Sequence, residues 1–431
     1  MNLDIIKMDL KRMKKQIIVA IIAPVAYSAL IMVFYIAFAD VFKDMQGLFN
    51  DASLQGLLRA FSMDTNTFSY ILNYYVSYNG VYMLIMGICF AASLSVRLFS
   101  KELKDGTYEF IYANPQSRIK IFLSKSMIVV IYLVIVNLLV FLVGFTSLEL
   151  LKSKSPTIAW VNEENQEMLN EKVNMANISY FERNDALFYD VIYSNLENQY
   201  TMASEVIDMD PEIVNNLLST FLKNPDGIFD EMLANKDLYM PLFETTDESV
   251  FNNTLEMQKE AYFAVKDSFK TDDSAALGLF ESNPKPFLNQ VIARDDIVGF
   301  KVAFDLSDKE SEDLFIKYSL NNYIKLSFTS FMVMLSISVF VMMIVIIVPK
   351  GKMTSGIAIG ICFLFYTINM MSNIAEPIKS LRYVTPLSYI NMDVMDVTYS
   401  TETWANIVMV TLIVLSYTFS AITISKKDLI T

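Results

Sequence analysis

From Ser126 to Leu148 the chain reads Ser126-Met-Ile-Val-Val-Ile-Tyr-Leu-Val-Ile-Val-Asn137-Leu-Leu-Val-Phe-Leu-Val-Gly144-Phe-Thr-Ser-Leu148, without one Asp, Glu, Lys or Arg. About 20 apolar residues suffice for a helix to cross roughly 30 Å of hydrocarbon. Inside hydrocarbon the backbone must satisfy its own hydrogen bonds, so such a run is read as a helix. Five further uncharged runs have the same character: Ile17 to Ala39, Tyr75 to Val96, Leu326 to Val348, Met353 to Ala375 and Trp404 to Ile424. With 54% hydrophobic and 19% charged residues in 431, the composition points to a bilayer and not to water. The expected fold class is an α-helical polytopic membrane protein with six transmembrane helices.

Between the third and fourth runs lies a segment of opposite character. Residues 149–322 carry 14 Lys/Arg and 33 Asp/Glu, a net of −19, whereas the remainder carries 20 and 14. Three parts are therefore expected: 1–148, an acidic domain at 149–322, and 323–431. The insert is too long for a loop and lacks the Gly/Ser or Pro bias of a tether. Asp210-Pro211-Glu212 opens a helix whose apolar face is Ile213, Val214, Leu217, Leu218 and Phe221, closed by Asn224-Pro225. A second helix is expected from Val250 to Phe269. Val298, Phe300, Val302, Phe304 and Leu306 alternate with Gly299, Lys301, Ala303 and Asp305, which reads as a strand, with Thr157 to Val161 as its partner. The expected domain is mostly helical α+β. Asn224-Pro225-Asp226-Gly227 reads as a turn and not as a calcium loop.

Orientation follows from basic residues. With the N-terminus inside, segments 1–16, 97–125, 349–352 and 425–431 hold 15 Lys/Arg, against four in the outer loops 40–74 and 376–403. That bias places both termini in the cytoplasm of a multi-pass cell-membrane protein and the acidic domain outside. The run ending at Ala39 is about twice the length of a signal h-region, so cleavage there is not expected. Leu3, Ile6, Leu10, Met13 and Ile17 recur at helical spacing, with Lys7, Lys11, Lys14 and Lys15 on other faces. This predicts an amphipathic N-terminal helix in the headgroup layer before the first span.

Several chemistries drop out. The sequence has no histidine, which removes Ser-His-Asp and Cys-His catalysis and imidazole metal sites. Its two cysteines, Cys89 and Cys362, lie within apolar runs, so no disulfide framework or thiolate cluster is expected. The acidic insert argues against nucleic acid. No phosphate-binding G-x-x-x-x-G-K-[ST] loop exists, and Gly351-Lys352-Met353 lacks its glycine and hydroxyl. The spans carry no ionisable group, which disfavours ion coupling. No metal or resident cofactor is expected.

The loop 97–125 carries the functional signal. It contains Glu102, then Asp105-Gly106-Thr107-Tyr108-Glu109-Phe110, Asn114-Pro115, Ser117-Arg118 and Lys125. Asp105-Gly106 reads as a turn, Thr107 as the cap of a short helix ended by Asn114-Pro115, and Ser117 as the cap of the next helix. Tyr108, Phe110, Ile111 and Tyr112 are too apolar to face water unassisted. They dip into headgroups or fit a groove on a partner.

This pattern, E-x-x-x-G-T-x-E followed by P-x-S-R and a later K, resembles the signature of type-2 ATP-binding-cassette (ABC) permeases, the membrane subunits of bacterial exporters. The matching positions are Glu102, Gly106, Thr107, Glu109, Pro115, Ser117, Arg118 and Lys125. Gln116 and Phe110 depart from the residues usual there. Leu57 to Phe61, Leu381 to Leu387 and Lys426-Lys427-Asp428-Leu429 are similar to the family as well. The resemblance covers 1–148 and 323–431 and leaves the insert unmatched. It implies that Glu102, Gly106, Thr107, Tyr108, Glu109, Phe110, Pro115, Ser117 and Arg118 form a coupling helix on a separate ATPase subunit, which would bind ATP and magnesium. A second permease copy, or a related permease, would complete the translocation path among membrane lipids.

The chain itself is then not an enzyme. The leading expectation is the permease subunit of an exporter of an amphipathic or hydrophobic molecule: a peptide, an antibiotic or a lipid-like compound. A second class is a sensing or mechanical-transmission complex, in which an ATPase moves the outer domain and nothing crosses. A third, an intramembrane or outer-domain enzyme, lacks any convergent set of Ser/Lys or carboxylate pairs.

Overall fold

The computed structural model describes residues 2–45, 69–100, 117–206, 211–243, 245–348, 351–373, 376–401 and 403–426. In chain order the helices are α1 (Leu3–Met45), α2 (Ile71–Tyr75), α3 (Val81–Phe99), α4 (Arg118–Leu151), α5 (Glu163–Lys172), α6 (Asp185–Val206), α7 (Pro211–Lys223), α8 (Ile228–Ala234) and α9 (Lys236–Tyr239). They continue with α10 (Glu248–Thr271), α11 (Asp273–Ser282), α12 (Lys285–Ala293), α13 (Ile297–Ala303), α14 (Asp308–Leu314), α15 (Leu320–Ile347), α16 (Gly351–Ser372) and α17 (Thr403–Lys426). Two-residue strands, β1 (Ile158–Ala159) and β2 (Phe315–Ile316), form one antiparallel pair. The chain divides into two compact units, Met1–Pro156 with Lys317–Thr431, and Thr157–Ile316.

The first unit is a helical bundle. Five of its helical segments are long and apolar enough to cross a membrane: Leu3–Ala37, Arg118–Lys154, Leu320–Ile347, Met353–Ser372 and Thr403–Lys426. These point to a multi-pass membrane protein. The second run of the sequence is helical throughout, from Ile71 to Phe99. A π-helical turn at Val76–Gly80 joins α2 to α3 within it. The amphipathic N-terminal stretch forms no separate helix. It is the first part of α1, continuous with the first apolar run through Pro24, and Ile6 and Met13 are buried in the bundle core. Proline has no N–H to give the carbonyl four residues back. That carbonyl, of Ala20, lies 3.4 Å from the Tyr132 hydroxyl of α4.

Close approach sets the middle of the bundle. A Cβ on Gly144 would sit 2.5 Å from the Tyr323 hydroxyl and 2.7 Å from the Tyr75 ring. Glycine there lets Tyr323 reach the carbonyl of Phe141 at 2.7 Å and meet the Tyr75 ring edge-on, centroids 5.3 Å apart. Outward faces remain apolar: Val19, Ile22 and Val33 of α1, Val134 and Leu138 of α4, and Val414 and Leu415 of α17 are all exposed. A helix in lipid has this pattern, because tails are as apolar as the side chains they meet.

The second unit is almost wholly helical. Its core is aromatic, with Phe188, Phe251, Phe269, Phe280, Phe287 and Phe300 fully buried. Phe181 packs against Phe280, Phe287, Phe300 and Phe304 with ring centroids between 5.1 and 6.0 Å. Two expected helices form as α7 and α10. The expected strand at 298–306 does not: Ile297–Ala303 is helix α13. Asp296 caps it, accepting from Gly299 N at 3.2 Å. Its end is a Schellman motif, with Leu306 N bonding Lys301 O at 2.9 Å and Asp305 in the left-handed region at φ 49°. Strand β1 does form within 157–161, but its partner is Phe315–Ile316, in register Ile158↔Ile316 and Ala159↔Phe315. The chain thus enters and leaves this unit side by side.

Candidate functional site

Residues 101–116 lie outside the described residues, and with them Glu102, Gly106, Thr107, Tyr108, Glu109, Phe110 and Pro115, as well as the turn at Asp105 and the break at Asn114. So do Leu57 to Phe61 and Lys427 to Leu429. Described are the two ends from which the segment departs, Ser100 and Ser117, and the helices that hold them.

Ser117 is the N-cap of α4. Its backbone is extended and its hydroxyl accepts from Lys120 N at 3.4 Å, satisfying one of the amides that a helix start leaves without an internal partner. Arg118 is the first helical residue and is half-buried. Two turns further, the side chain of Lys125 is wholly buried. Its Nζ donates to the carbonyl of Leu98 at 3.0 Å, in the last turn of α3, and lies 3.6 Å from Asp9 Oδ2 of α1. Asp9 is itself fully buried, and its Oδ1 is 3.0 Å from the Arg12 guanidinium.

The surrounding contacts are polar and tie the same helices. Asn2 N donates to Ser124 Oγ at 2.7 Å, and Ser124 Oγ donates to Lys120 O at 2.8 Å. Gln16 Nε2 donates to Ser93 Oγ at 3.0 Å, while Arg97 donates to Gln16 Oε1. From α16, Thr354 donates to Val348 O at 2.6 Å. One end of the bundle is therefore a polar lock in which α1, α3 and α4 share a buried ion pair. Lys125, two turns along α4 from Ser117, thus touches both Asp9 and Leu98.

A buried pair of this kind resists change. Removing one partner of a desolvated pair costs about 3–5 kcal/mol, since the other charge loses compensation it cannot regain from water. Among the described residues no group of three or more His, Cys, Asp or Glu could hold a metal ion.

The sequence reading places Lys125 among the basic residues of the 97–125 loop and does not foresee its pairing with Asp9. The signal was present: Asp9 falls on the same helical stripe as Ile6, Met13 and Ala20, all buried. A carboxylate inside an apolar stripe requires a partner.

A second polar cluster sits in the acidic unit. Lys266 Nζ reaches Asp226 Oδ1 and Oδ2 at 2.7 and 2.6 Å and the Tyr189 hydroxyl at 2.7 Å. Tyr189 donates to Asp226 Oδ2 at 2.8 Å. Burial pushes the Tyr189 phenol above its usual range, which keeps it a neutral donor. These groups satisfy one another and fasten α6 and α10 to the turn at Asn224–Gly227; they form a structural clamp.

Comparison with protein-family models, with curated proteins and with solved structures found no match for the chain.

Proposed function

We propose that the chain is the membrane subunit of an ABC exporter, driven by a separate cytoplasmic ATPase and passing an amphipathic or hydrophobic substrate along a path completed by a second permease. The motif from Glu102 to Lys125 carries this reading. In support, its last residue, Lys125, belongs to the buried lock with Asp9 and Leu98, so force delivered to the segment before Ser117 has a rigid route into α1, α3 and α4. On this reading α3, with the helical turns before it, supplies a sixth span, both termini are cytoplasmic, and the acidic unit stands outside the cell membrane.

The test is Phe110→Asp. Placing a charge against an apolar partner groove costs several kcal/mol, on the order of the burial penalty of an unpaired charge. The variant is expected to insert normally and to lose the co-purifying ATPase. Equal ATPase per inserted molecule, with undiminished transport-linked hydrolysis, would refute the coupling role and leave 101–116 as an interfacial segment. Loss of transport with ATPase binding retained would favour mechanical transmission through the acidic unit.

A further inference from the structure

The segment between α16 and α17 is irregular, built from short 3₁₀ helices at Glu376–Val384 and Pro386–Tyr389. Thr385, between them, caps the second by accepting from Leu387 N at 3.3 Å. Where this segment meets the start of α17 it forms a half-open cavity of about 250 Å³, whose lining includes Arg382, Tyr389, Ile390, Asn391, Ser400 and Trp404. That volume lies just below the roughly 300–1,000 Å³ of sites for drug-sized ligands, which suits a headgroup and not a whole lipid or a peptide.

The lining divides into two halves. One is aromatic: Trp404 packs against Tyr383 and Tyr389 with centroids 5.1 and 4.9 Å apart. Tyr389 is fixed by donating its hydroxyl to Tyr383 O at 2.9 Å. The other half offers donors. The Arg382 guanidinium stacks on the Tyr383 ring at 5.1 Å and reaches the Tyr383 hydroxyl at 3.3 Å. Among the described residues no carboxylate pairs with it. Asn391 Oδ1 accepts from Asp393 N at 3.0 Å, which leaves its amide N–H groups to give. Ser400 is exposed at the rim.

Position adds a third constraint. Trp404 opens α17, one of the helices long enough to cross a membrane, and an indole at such a helix end belongs at headgroup depth. Directly along α17, Ile407, Val410 and Val414 are exposed at helical spacing and offer an apolar track leading away from the cavity. The aromatic half alone would suit a quaternary ammonium. Arg382 already occupies the Tyr383 face and would repel a second cation, so the cavity selects an anion.

We propose that the cavity of Arg382, Asn391, Ser400 and Trp404 binds the phosphate-bearing headgroup of an anionic phospholipid, with the acyl chains lying along Ile407, Val410 and Val414. The assignment is independent of any ATPase partner, because it rests only on residues of this segment and α17.

The chain has two tryptophans, Trp160 and Trp404, so the full-length Trp160→Phe protein reports on Trp404 alone. Reconstituted in phosphatidylcholine vesicles, it is titrated with phosphatidylglycerol or with phosphatidylcholine brominated near the top of the acyl chain. Quenching by the anionic lipid is expected to reach half-saturation at about five-fold lower mole fraction. Arg382→Gln should abolish that preference and Arg382→Lys should keep part of it, while added inorganic phosphate leaves quenching unchanged. Superimposable curves for the two lipids, or a preference that survives Arg382→Gln, would overturn the proposal. Relief of quenching by millimolar phosphate would also overturn it, by assigning the cavity to a soluble anion. Should Arg382→Gln fail to fold, Asn391→Ala with Ser400→Ala serves the same comparison, and an unchanged preference there refutes the site.

Discussion

The bundle and the acidic unit are both helical, yet they are organised by opposite means. In the acidic unit water drives phenylalanines together: Phe269, Phe280 and Phe287 are fully buried, and the surface is charged. In the bundle, Val134, Leu138 and Val414 face outward and the buried interior carries Asp9, Lys125, Asn322 and Ser336. Burying a leucine gains little where the surroundings are equally apolar, so close packing at Gly144 and buried polar contacts decide which helix faces which. One chain is thus built for two solvents, and the same substitution type has different consequences in each.

The largest effect is expected from Lys125→Ala. It takes the Lys125 charge away from the buried Asp9 carboxylate and should destabilise the bundle by about 3–5 kcal/mol, read as a lowered unfolding midpoint in detergent. The paired replacement Asp9→Asn with Lys125→Met should recover most of that loss. A double variant as unstable as the single one would show that the charges themselves, and not their mutual compensation, hold the three helices.

Phe287→Ala probes the other unit. It opens a cavity among Phe181, Phe269 and Phe280 and should cost about 3–4 kcal/mol, lowering the melting temperature of the acidic unit. Unchanged melting would mean that this core is not the source of its stability.

A smaller effect comes from Glu310, which closes the capping box of α14 with Ser307 and pairs with Lys172. The Ser307 hydroxyl and amide, then Lys172, hold its carboxyl well below the usual 4.5, at about 2. Because the folded value is depressed, the contribution is fully present above about pH 4.5 and is lost as pH falls toward about 2. Glu310→Gln should therefore cost about 1 kcal/mol at neutral pH. Its melting temperature should converge with that of the parent on acidification through this window. A constant difference across that range would remove the carboxylate from the account.

Much of this fold is legible in the sequence because long uncharged runs have few alternatives. Helix α10 and helix α7, with its proline start and Asn224-Pro225 stop, are equally plain. The strand reading at 298–306 failed for a definite reason: in an alternating pattern every second pair is also spaced i, i+4. Phe300 and Phe304 share the buried side of α13, while Val298 and Val302 are 77% and 76% exposed. The stop signals were hidden too, since Asp295 and Asp305, not glycine, take the left-handed positions after α12 and α13. At the candidate site, the capping role of Ser117 could be read locally. That Asp9 needs a partner could be read from its apolar stripe; that the partner is Lys125 could not, because the pair joins two helices whose packing only the tertiary structure defines.

The contrast between the two units is tested most directly by producing residues 157–316 alone and recording sedimentation, circular dichroism and a thermal melt without detergent. The antiparallel pair Ile158↔Ile316 joins the two ends of that unit, and its phenylalanine core lies wholly within it. The expected result is a soluble, monomeric, helical domain that unfolds in one cooperative transition. Aggregation that only detergent relieves, or the spectrum of an unfolded chain, would contradict the division of this chain between water and membrane.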